Sequence, residues 1–178
     1  YREKITPEVM VYLEANQISV KPYLEVEQDL KRQAKRRLVI SSSLNGQLKS
    51  AIKNPITLSP SPVSLMKCIK NETEQNGFRR AMERDGVAMV KFLKWLKPAV
   101  EAGGQTEMSI DKKLYEYRAE QAHFKGVSFD TIAGYGAHGA IVHYEATPET
   151  DVQLESRGLL LLDSGAQYLD GTTDLTRT

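Results

Sequence analysis

A single cysteine, Cys68, stands among 178 residues, so no disulfide can close within the chain and a reducing compartment fits best. It lies between Met66 and Ile69 in a helical context, where a small buried side chain is expected. A nucleophilic role would need an electropositive, accessible setting, and only Lys67 and Lys70 argue for one. An excess of one charge is also missing: 24 Lys and Arg face 23 Asp and Glu, for a formal net charge of +1. Without a strong field, no nucleic-acid partner and no anionic membrane partner are expected. The basic run Lys31 to Arg37 (KRQAKRR) follows Glu25, Glu27 and Asp29 on what reads as one helix, so a solvated, ion-paired face is expected there. No apolar run reaches the ~18–20 residues of a membrane span, and YREKITPEV at the start has no signal-peptide core. The location expected from these absences is cytoplasmic. No internal repeat at solenoid periods is visible either.

What remains is the composition of an ordinary globular chain, 40% hydrophobic and 26% charged. Its length suits one domain, or a small domain and part of another. Thr6-Pro7 reads as a helix start, with the hydroxyl as N-cap and proline at the first helical position. Leu24 to Arg36 reads as a second helix and Arg37 to Ser42 as a strand. The segment Asn54 to Pro62 (NPITLSPSP) is a strand end and linker at most, and it places a domain boundary near residue 60. Beyond it, Asn71 with Glu74 forms a capping-box start. Phe78, Ala81, Met82, Ala88, Met89, Phe92, Leu93 and Leu96 then mark one face of a long helix. Asp85 falls in that stripe, where a partly exposed margin position is expected. Pro98 and Gly103-Gly104 end this helix, and Ser109 begins the next, with Asp111 in its first turn. Trp95 sits at helical spacing and reads as a packing residue. From Phe129 the period changes. Phe129 to Tyr135 and Ala140 to Tyr144 read as short strands around a Gly-rich turn, and Leu159 to Leu162 as a buried strand. Two long helices followed by antiparallel strands make the fold class α+β.

The last twenty residues, LLLLDSGAQYLDGTTDLTRT, place Asp163 and Asp174 eleven positions apart. A chain reversal between Tyr168 and Leu169 would set them directly opposite each other, with Cβ atoms ~4.5–5.5 Å apart. Asp170-Gly171 supplies the turn, with Gly171 at a positive φ or in a bulge. Two such carboxylates beside a buried leucine strand need a neutralising partner. Arg177 and Lys125 are the available protein cations. A pair of divalent ions is the more economical solution. A shared proton is the chemical rival, and spacing does not separate the two. Asp170, in the turn, reads as a local hydrogen-bonding residue rather than a ligand.

That tail resembles the first metal-ligand segment of the aminopeptidase P branch of the pita-bread metallopeptidases, the creatinase/aminopeptidase family M24. FDTIAGYGAHGAIVHYEATPET and KNETEQNGFRRAMERDGVAMVKFLKWL resemble the same family in the same order. The resemblance implies that residues 61–178 are the N-terminal half of a pita-bread catalytic domain. Residues 1–60 would be the C-terminal part of a creatinase-like α/β domain. It implies that Asp163 and Asp174 are the first two of five ligands to two divalent ions, usually Mn2+, with Zn2+ or Co2+ as substitutes. Asp163 would chelate one ion and Asp174 bridge both. His143 matches the family's substrate-site histidine, whereas the residues alone suggest only a satisfied strand histidine. His138 and His123 match no functional position. The remaining ligands, one His and two Glu, would follow Thr178. The implied activity of the parent protein is Xaa-Pro aminopeptidase, in which a metal-bridging hydroxide attacks the scissile carbonyl. Its partners would be peptides beginning Xaa-Pro, and the parent would be a homodimer. The 178 residues alone are expected to be inactive and to bind metal weakly. A prolidase-type dipeptidase and a metal-free peptide-binding scaffold are the alternatives.

Overall fold

The structure, a computed structural model, describes residues 4–33 and 35–178. The chain forms two compact units, Tyr1–Ile69 and Lys70–Thr178. In the first, helix α1 (Pro7–Ala15) starts where Thr6 Oγ1 accepts the Val9 N–H at 3.4 Å, with Pro7 in the first turn. A 3-10 turn (Tyr23–Glu25) leads into α2 (Val26–Arg32). This helix is shorter than the sequence pattern suggests because it is capped at Gln33, and Ala34 lies outside the described residues. Its basic residues pair locally, Lys31 with Glu27 at 2.6 Å and Arg32 with Asp29 at 2.9 Å. Such exposed pairs, screened by solvent, add little to stability.

Strand β1 (Val39–Ser41) pairs in parallel with β2 (Ile56–Leu58), with α3 (Gly46–Ser50) on the crossover. The proline-rich segment therefore contains a paired strand and is more than a linker. Its prolines, at 55, 60 and 62, flank the ladder instead of interrupting it. Helix α4 (Pro62–Cys68) closes the unit. Cys68 is exposed, contrary to expectation, because α4 contributes no buried residue and so offers no core for the thiol to enter.

The second unit opens with α5 (Glu72–Ala102). Asn71 Oδ1 accepts the Glu74 N–H and Glu74 Oε2 accepts the Asn71 N–H, each at 2.9 Å. The helix continues through Pro98 and stops at Gly103, whose φ of 86° an L side chain rarely adopts. Proline is tolerated because Lys94, whose carbonyl it leaves without a helical donor, is exposed. Helix α6 (Glu107–Ala119) begins at Thr106, three residues before the expected start. Ser109 is the reciprocal partner in its capping box: it donates its N–H to Thr106 Oγ1 at 3.2 Å, and its Oγ accepts the Thr106 N–H at 2.8 Å.

Six antiparallel strands follow: β3 (Phe124–Val127), β4 (Ile132–Tyr135), β5 (Leu160–Ser164), β6 (Ala166–Tyr168), β7 (Gly171–Thr172) and β8 (Leu175–Arg177). They form two sheets, β4-β5-β8 and β3-β6-β7. Strand β3 is absent from the sequence reading, and β4 is shorter than expected. Residues 140–144 form no strand. A 3-10 turn (Gly136–Ala140) ends there, and Val142 is left 83% exposed, with no ladder to join. Leu162 and Ala133 pack on Met89, Phe92, Ile110 and Leu114, which joins the sheet to both helices, and Trp95 packs at the edge of that cluster.

Asp85 is fully buried rather than marginal. Its face of α5 is covered by α6 and by the β6–β7 hairpin at once, and each supplies a partner. Arg118 donates to its carboxylate from Nε at 2.8 Å and from Nη2 at 3.0 Å, and the Tyr168 hydroxyl donates at 3.0 Å. Burial, with the Asp85 charge beside it, pushes the Tyr168 phenol up, so it stays a donor.

The hairpin tip lies against α5. A Cβ on Gly77 would collide with the Asp170 carbonyl oxygen, and one on Gly171 would come within 2.9 Å of Ala81 Cβ. Gly171 thus serves close approach; it does not adopt a positive φ. Gly86, on the same helix, would place a Cβ in open space. Gly77→Ala is therefore expected to lose roughly 1–3 kcal/mol of stability through overpacking. Gly86→Ala should gain roughly 0.5–1 kcal/mol through helix propensity and a less disordered unfolded chain. Urea unfolding of both variants checks the pair.

Candidate metal centre

The ladders align Leu162 with Arg177, Asp163 with Thr176, Ser164 with Leu175, Gln167 with Thr172 and Tyr168 with Gly171. The turn is therefore Leu169-Asp170, and the chain reverses one residue later than expected. Asp174 falls opposite Gly165 and diagonally across from Asp163, on the same side of the sheet. Diagonal neighbours lie ~7–8 Å apart, against ~4.5–5.5 Å for a directly opposed pair. The later reversal has a physical cause in the turn's contacts. The Leu169 N–H donates to the His123 carbonyl at 2.9 Å. The Asp170 carboxylate accepts from Arg84 Nη2 and faces Arg80 Nε at 3.5 Å. Its side chain is occupied by these cations.

Burial works against the Asp170 carboxylate, but the hydrogen bond and charge of Arg84, with Arg80 behind them, outweigh it and hold the carboxyl below its usual range. The folded-state pKa being the lower one, the stabilisation is fully present above the unfolded value of about 3.9 and is lost as pH falls through the depressed value. Asp170→Asn should flatten the acid limb of the stability–pH curve in that window and leave its slope at neutral pH unchanged, as read by thermal melting from pH 2 to 7.

Asp163 lies on the central strand β5, between Ile132 on β4 and Thr176 on β8. Leu162 and Ser164 turn inward, so alternation sends Asp163 to the face opposite the helices. Its Oδ1 is buried and has no hydrogen-bond partner. Asp174 is exposed, between β7 and β8. Neither expected protein cation neutralises them: Arg177 Nη1 donates to the Thr176 carbonyl at 2.6 Å, and Lys125 is exposed. A buried carboxylate oxygen without a donor fits a carboxylate that takes a cation, and hard oxygen donors suit divalent ions. Among the described residues no group of three or more His, Cys, Asp or Glu side chains is arranged to hold a metal. The two aspartates would thus be a partial donor set.

His143 is exposed and sits in a turn at φ 54°, not on a strand. The segment carrying it is fastened at both ends to Glu107, a fully buried residue at the start of α6. His138 Nδ1 lies 2.9 Å from Glu107 Oε1, and the Tyr144 hydroxyl donates to Glu107 Oε2 at 2.8 Å. The Tyr135 N–H adds a third donor at 2.8 Å, and the His138 and Tyr144 rings stack with centroids 4.5 Å apart. His138 is thus a packing residue, and His123 is an exposed turn residue at φ 68°. Sequence reasoning missed Glu107. An acid in a helix's first turn is ordinary, and nothing in the local pattern marks it as the buried acceptor of three donors. A cleft of about 760 Å³ between α6 and the 127–133 and 145–151 segments contains none of Asp163, Asp174 and His143. Asp111 faces it, with its carboxyl pushed up by burial against the opposing Thr131 hydroxyl and Arg118 charge.

The sequence pattern of metallopeptidase family M24 matches residues 76–178, well over half the chain. The chain belongs to metallopeptidase family M24. Residues 1–74 match the creatinase/prolidase N-terminal domain, so the M24 region follows a creatinase-like one. Curated M24 relatives include a probable Xaa-Pro aminopeptidase P of Arthroderma gypseum, 37% identical over 98% of this chain and 30% of the relative. Aminopeptidase P2 of Arabidopsis thaliana is 46% identical over 66% of this chain and 17% of its own length. Among solved structures, the X-prolyl aminopeptidase of Caenorhabditis elegans superposes with a TM-score of 0.89 at 30% identity. That protein is described as a cytosolic enzyme with a di-nuclear active site; the match covers 99% of this chain and 31% of that one. A Xaa-Pro dipeptidase from Bacillus anthracis shares the fold, with a TM-score of 0.70 at 20% identity over 90% of this chain and 44% of that one. The chain spans under a third of the length of the curated relatives it matches. The M24 match carries the pita-bread fold, to which the helix pair and antiparallel strands of the second unit belong.

Proposed function

We propose that this M24 chain supplies the opening part of the active site of an Xaa-Pro aminopeptidase, which removes the N-terminal residue from peptides with proline in second position. One observation carries the reading. The buried, unpartnered Oδ1 of Asp163 sits on the central strand with Asp174 diagonally across from it on the same face. A shared-proton dyad needs carboxyl groups ~3 Å apart, and the diagonal register disfavours it. Asp163 and Asp174 would hold two divalent ions, of which Mn2+ is our choice, with ligands from further along the whole protein. When bound, such ions lower the pKa of water and polarise a carbonyl. Asp163 brings a rigid donor fixed from both sides by β4 and β8. Asp174 brings a solvent-accessible one. His143, held between two residues anchored on Glu107, would position the peptide. Proline's fixed φ and tertiary amide shut such substrates out of most peptidase grooves, so a dedicated site is required.

The similarity to Xaa-Pro aminopeptidases at 36–37% identity supports this substrate class over the dipeptidases, which share the fold at about 20%. A metal-free scaffold would carry the buried Asp163 oxygen with nothing to offset its desolvation. The same reading makes the whole protein a cytosolic homodimer in which the creatinase-like domain precedes the catalytic one. Light scattering of the whole protein checks the dimer. The test of function is the whole protein stripped with EDTA and reloaded with Mn2+, offered a Xaa-Pro tripeptide and a Xaa-Pro dipeptide. Metal-dependent release of the N-terminal residue, faster from the tripeptide, is expected. Faster cleavage of the dipeptide would make it a prolidase, and cleavage of neither would remove the peptidase reading. The 178 residues assayed alone should hydrolyse neither peptide and show no tight two-site binding by calorimetry, since two carboxylates leave most positions around each ion unfilled.

A further inference from the structure

We propose that Thr173 and Ser128 are positioning residues that aim Asp174 at the metal centre by turning the Thr173–Asp174 peptide out of the hairpin ladder. The inference rests on the reading of Asp163 and Asp174 as ion ligands and deepens it. Ala166 and Thr173 are opposed in the register that runs through both halves of the hairpin. A regular narrow pair of this kind would exchange two backbone N–H···O bonds. Only one is made, from the Thr173 N–H to the Ala166 carbonyl at 2.9 Å. The Ala166 N–H goes instead to the Thr173 side chain, Oγ1, at 2.9 Å. The Thr173 carbonyl, freed from the ladder, accepts the Ser128 hydroxyl at 2.8 Å.

The rotated carbonyl lies over Gly165, where a Cβ would collide with it and with Ser128 Oγ. Ser128 is itself tied to this point by its N–H, which donates to the Gly165 carbonyl at 3.1 Å. The strand breaks at Thr173 and Asp174 and resumes at Leu175 in the same register. Thr173 is 1% exposed, so its hydroxyl is a built-in substitute for a backbone acceptor. Asp174 is exposed, and its orientation comes from the backbone that carries it. That backbone is set on its N-terminal side by the Thr173 hydroxyl and the Ser128 hydroxyl, both engaged with backbone groups. Sequence reading passes over both, because Thr and Ser in a polar strand end carry no signal of this substitution.

The test uses the whole protein, metal-stripped, titrated with Mn2+ by calorimetry well below the melting temperature of each variant, with metal-free melting recorded beside it. Thr173→Val keeps the shape and removes the acceptor. It should weaken Mn2+ binding about tenfold to a hundredfold, the usual effect of losing a group that orients a ligand. Thr173→Ser, which keeps the hydroxyl, should stay within about threefold of wild type by the same scale, and Ser128→Ala should fall between them. A Thr173→Val protein with lowered metal-free melting but Mn2+ affinity within about twofold of wild type would overturn the proposal, leaving Thr173 a purely structural residue. If Thr173→Val does not fold, Ser128→Ala decides: weakened Mn2+ binding supports the proposal and unchanged binding overturns it. Asp174→Asn is the control for the underlying reading. If it binds Mn2+ as tightly as wild type, the ligand assignment fails first and the positioning role falls with it.

Discussion

Asp163→Asn in the whole protein is expected to abolish peptidase activity and at the same time to stabilise the metal-free fold. Both effects have one source. Asp163 Oδ1 is buried without a donor, while the strands on either side hold its backbone in place. In the absence of an ion, a buried carboxylate oxygen left unpaired costs about 1–3 kcal/mol or more. Replacing the charged group by a neutral amide of the same shape removes the charge's share of that cost and leaves a neutral polar atom in its place, so metal-free melting should rise by a few degrees, about 1 kcal/mol. On the proposed reading the same change removes a charged ligand. Losing a group that merely orients a ligand costs ~10–100-fold, so losing the ligand should reduce kcat/KM on a Xaa-Pro tripeptide by more than about 100-fold. Asp174→Asn should show the activity loss without the stability gain. Asp174 is exposed, and surface changes usually stay within about 0.5 kcal/mol. The two variants thus share one phenotype and differ in the other. Near-wild-type activity for either removes that residue from the metal site. A fall in metal-free melting for Asp163→Asn would mean that the carboxylate has a partner in the fold.

The second large effect lies in the core. Asp85→Ala should destabilise the protein by roughly 3–5 kcal/mol, because it strands the Arg118 guanidinium, itself 1% exposed, without its counter-charge. The Tyr168 hydroxyl loses its acceptor in the same step. The ion pair as a whole need not be stabilising. Taking both ions out of water offsets much of their attraction, so Asp85→Leu combined with Arg118→Met should recover most of the loss, and could exceed wild type by ~1–4 kcal/mol. Tyr168→Phe, which leaves the bidentate pair intact, should lose only ~1.5–3 kcal/mol, as expected for one hydrogen bond to a charged group. Denaturant unfolding of Asp85→Leu, Arg118→Met and the double variant measures the coupling. A double variant as unstable as Asp85→Ala would show that the cost comes from lost shape, not from the unpaired charge.

Both predictions concern residues whose types, but not whose circumstances, can be read from the chain. The capping box at Asn71 and Glu74 and the Thr6-Pro7 helix start are local signals that the structure bears out, and of the helical stripe Ala81, Ala88, Met89 and Phe92 are buried while Phe78, Met82 and Leu93 are exposed at its margins. Local propensity and a 3.6-residue period are carried by residues a turn apart, so one sequence window contains the whole physical cause. Other features needed a distant partner. Asp85 sits on the same stripe as the apolar residues, and Arg118, 33 positions on, with the Tyr168 hydroxyl, 83 positions on, makes its burial tolerable. Strand β3 has no periodicity of its own and exists because β6 pairs with it. AIVHY reads as a strand because it is β-branched and apolar, but among the described residues no strand pairs with it, and the chain turns at His143 instead.

The tail shows the division within one segment. From its sequence alone came the two carboxylates, their shared face and the family they belong to, because composition and spacing survive whatever the turn does. The register did not come with them. It depends on where the chain reverses, and a shift of one residue in the reversal moves Asp163 from opposite Asp174 to opposite Thr176. That choice was made by Arg84 and Arg80 on α5, which hold Asp170 in the turn, and by Gly77 and Gly171, which let the tip lie flat on the helix. The sequence determined which carboxylates would share one face of the sheet. The packing of a helix against a hairpin, some ninety residues away along the chain, decided how far apart they stand.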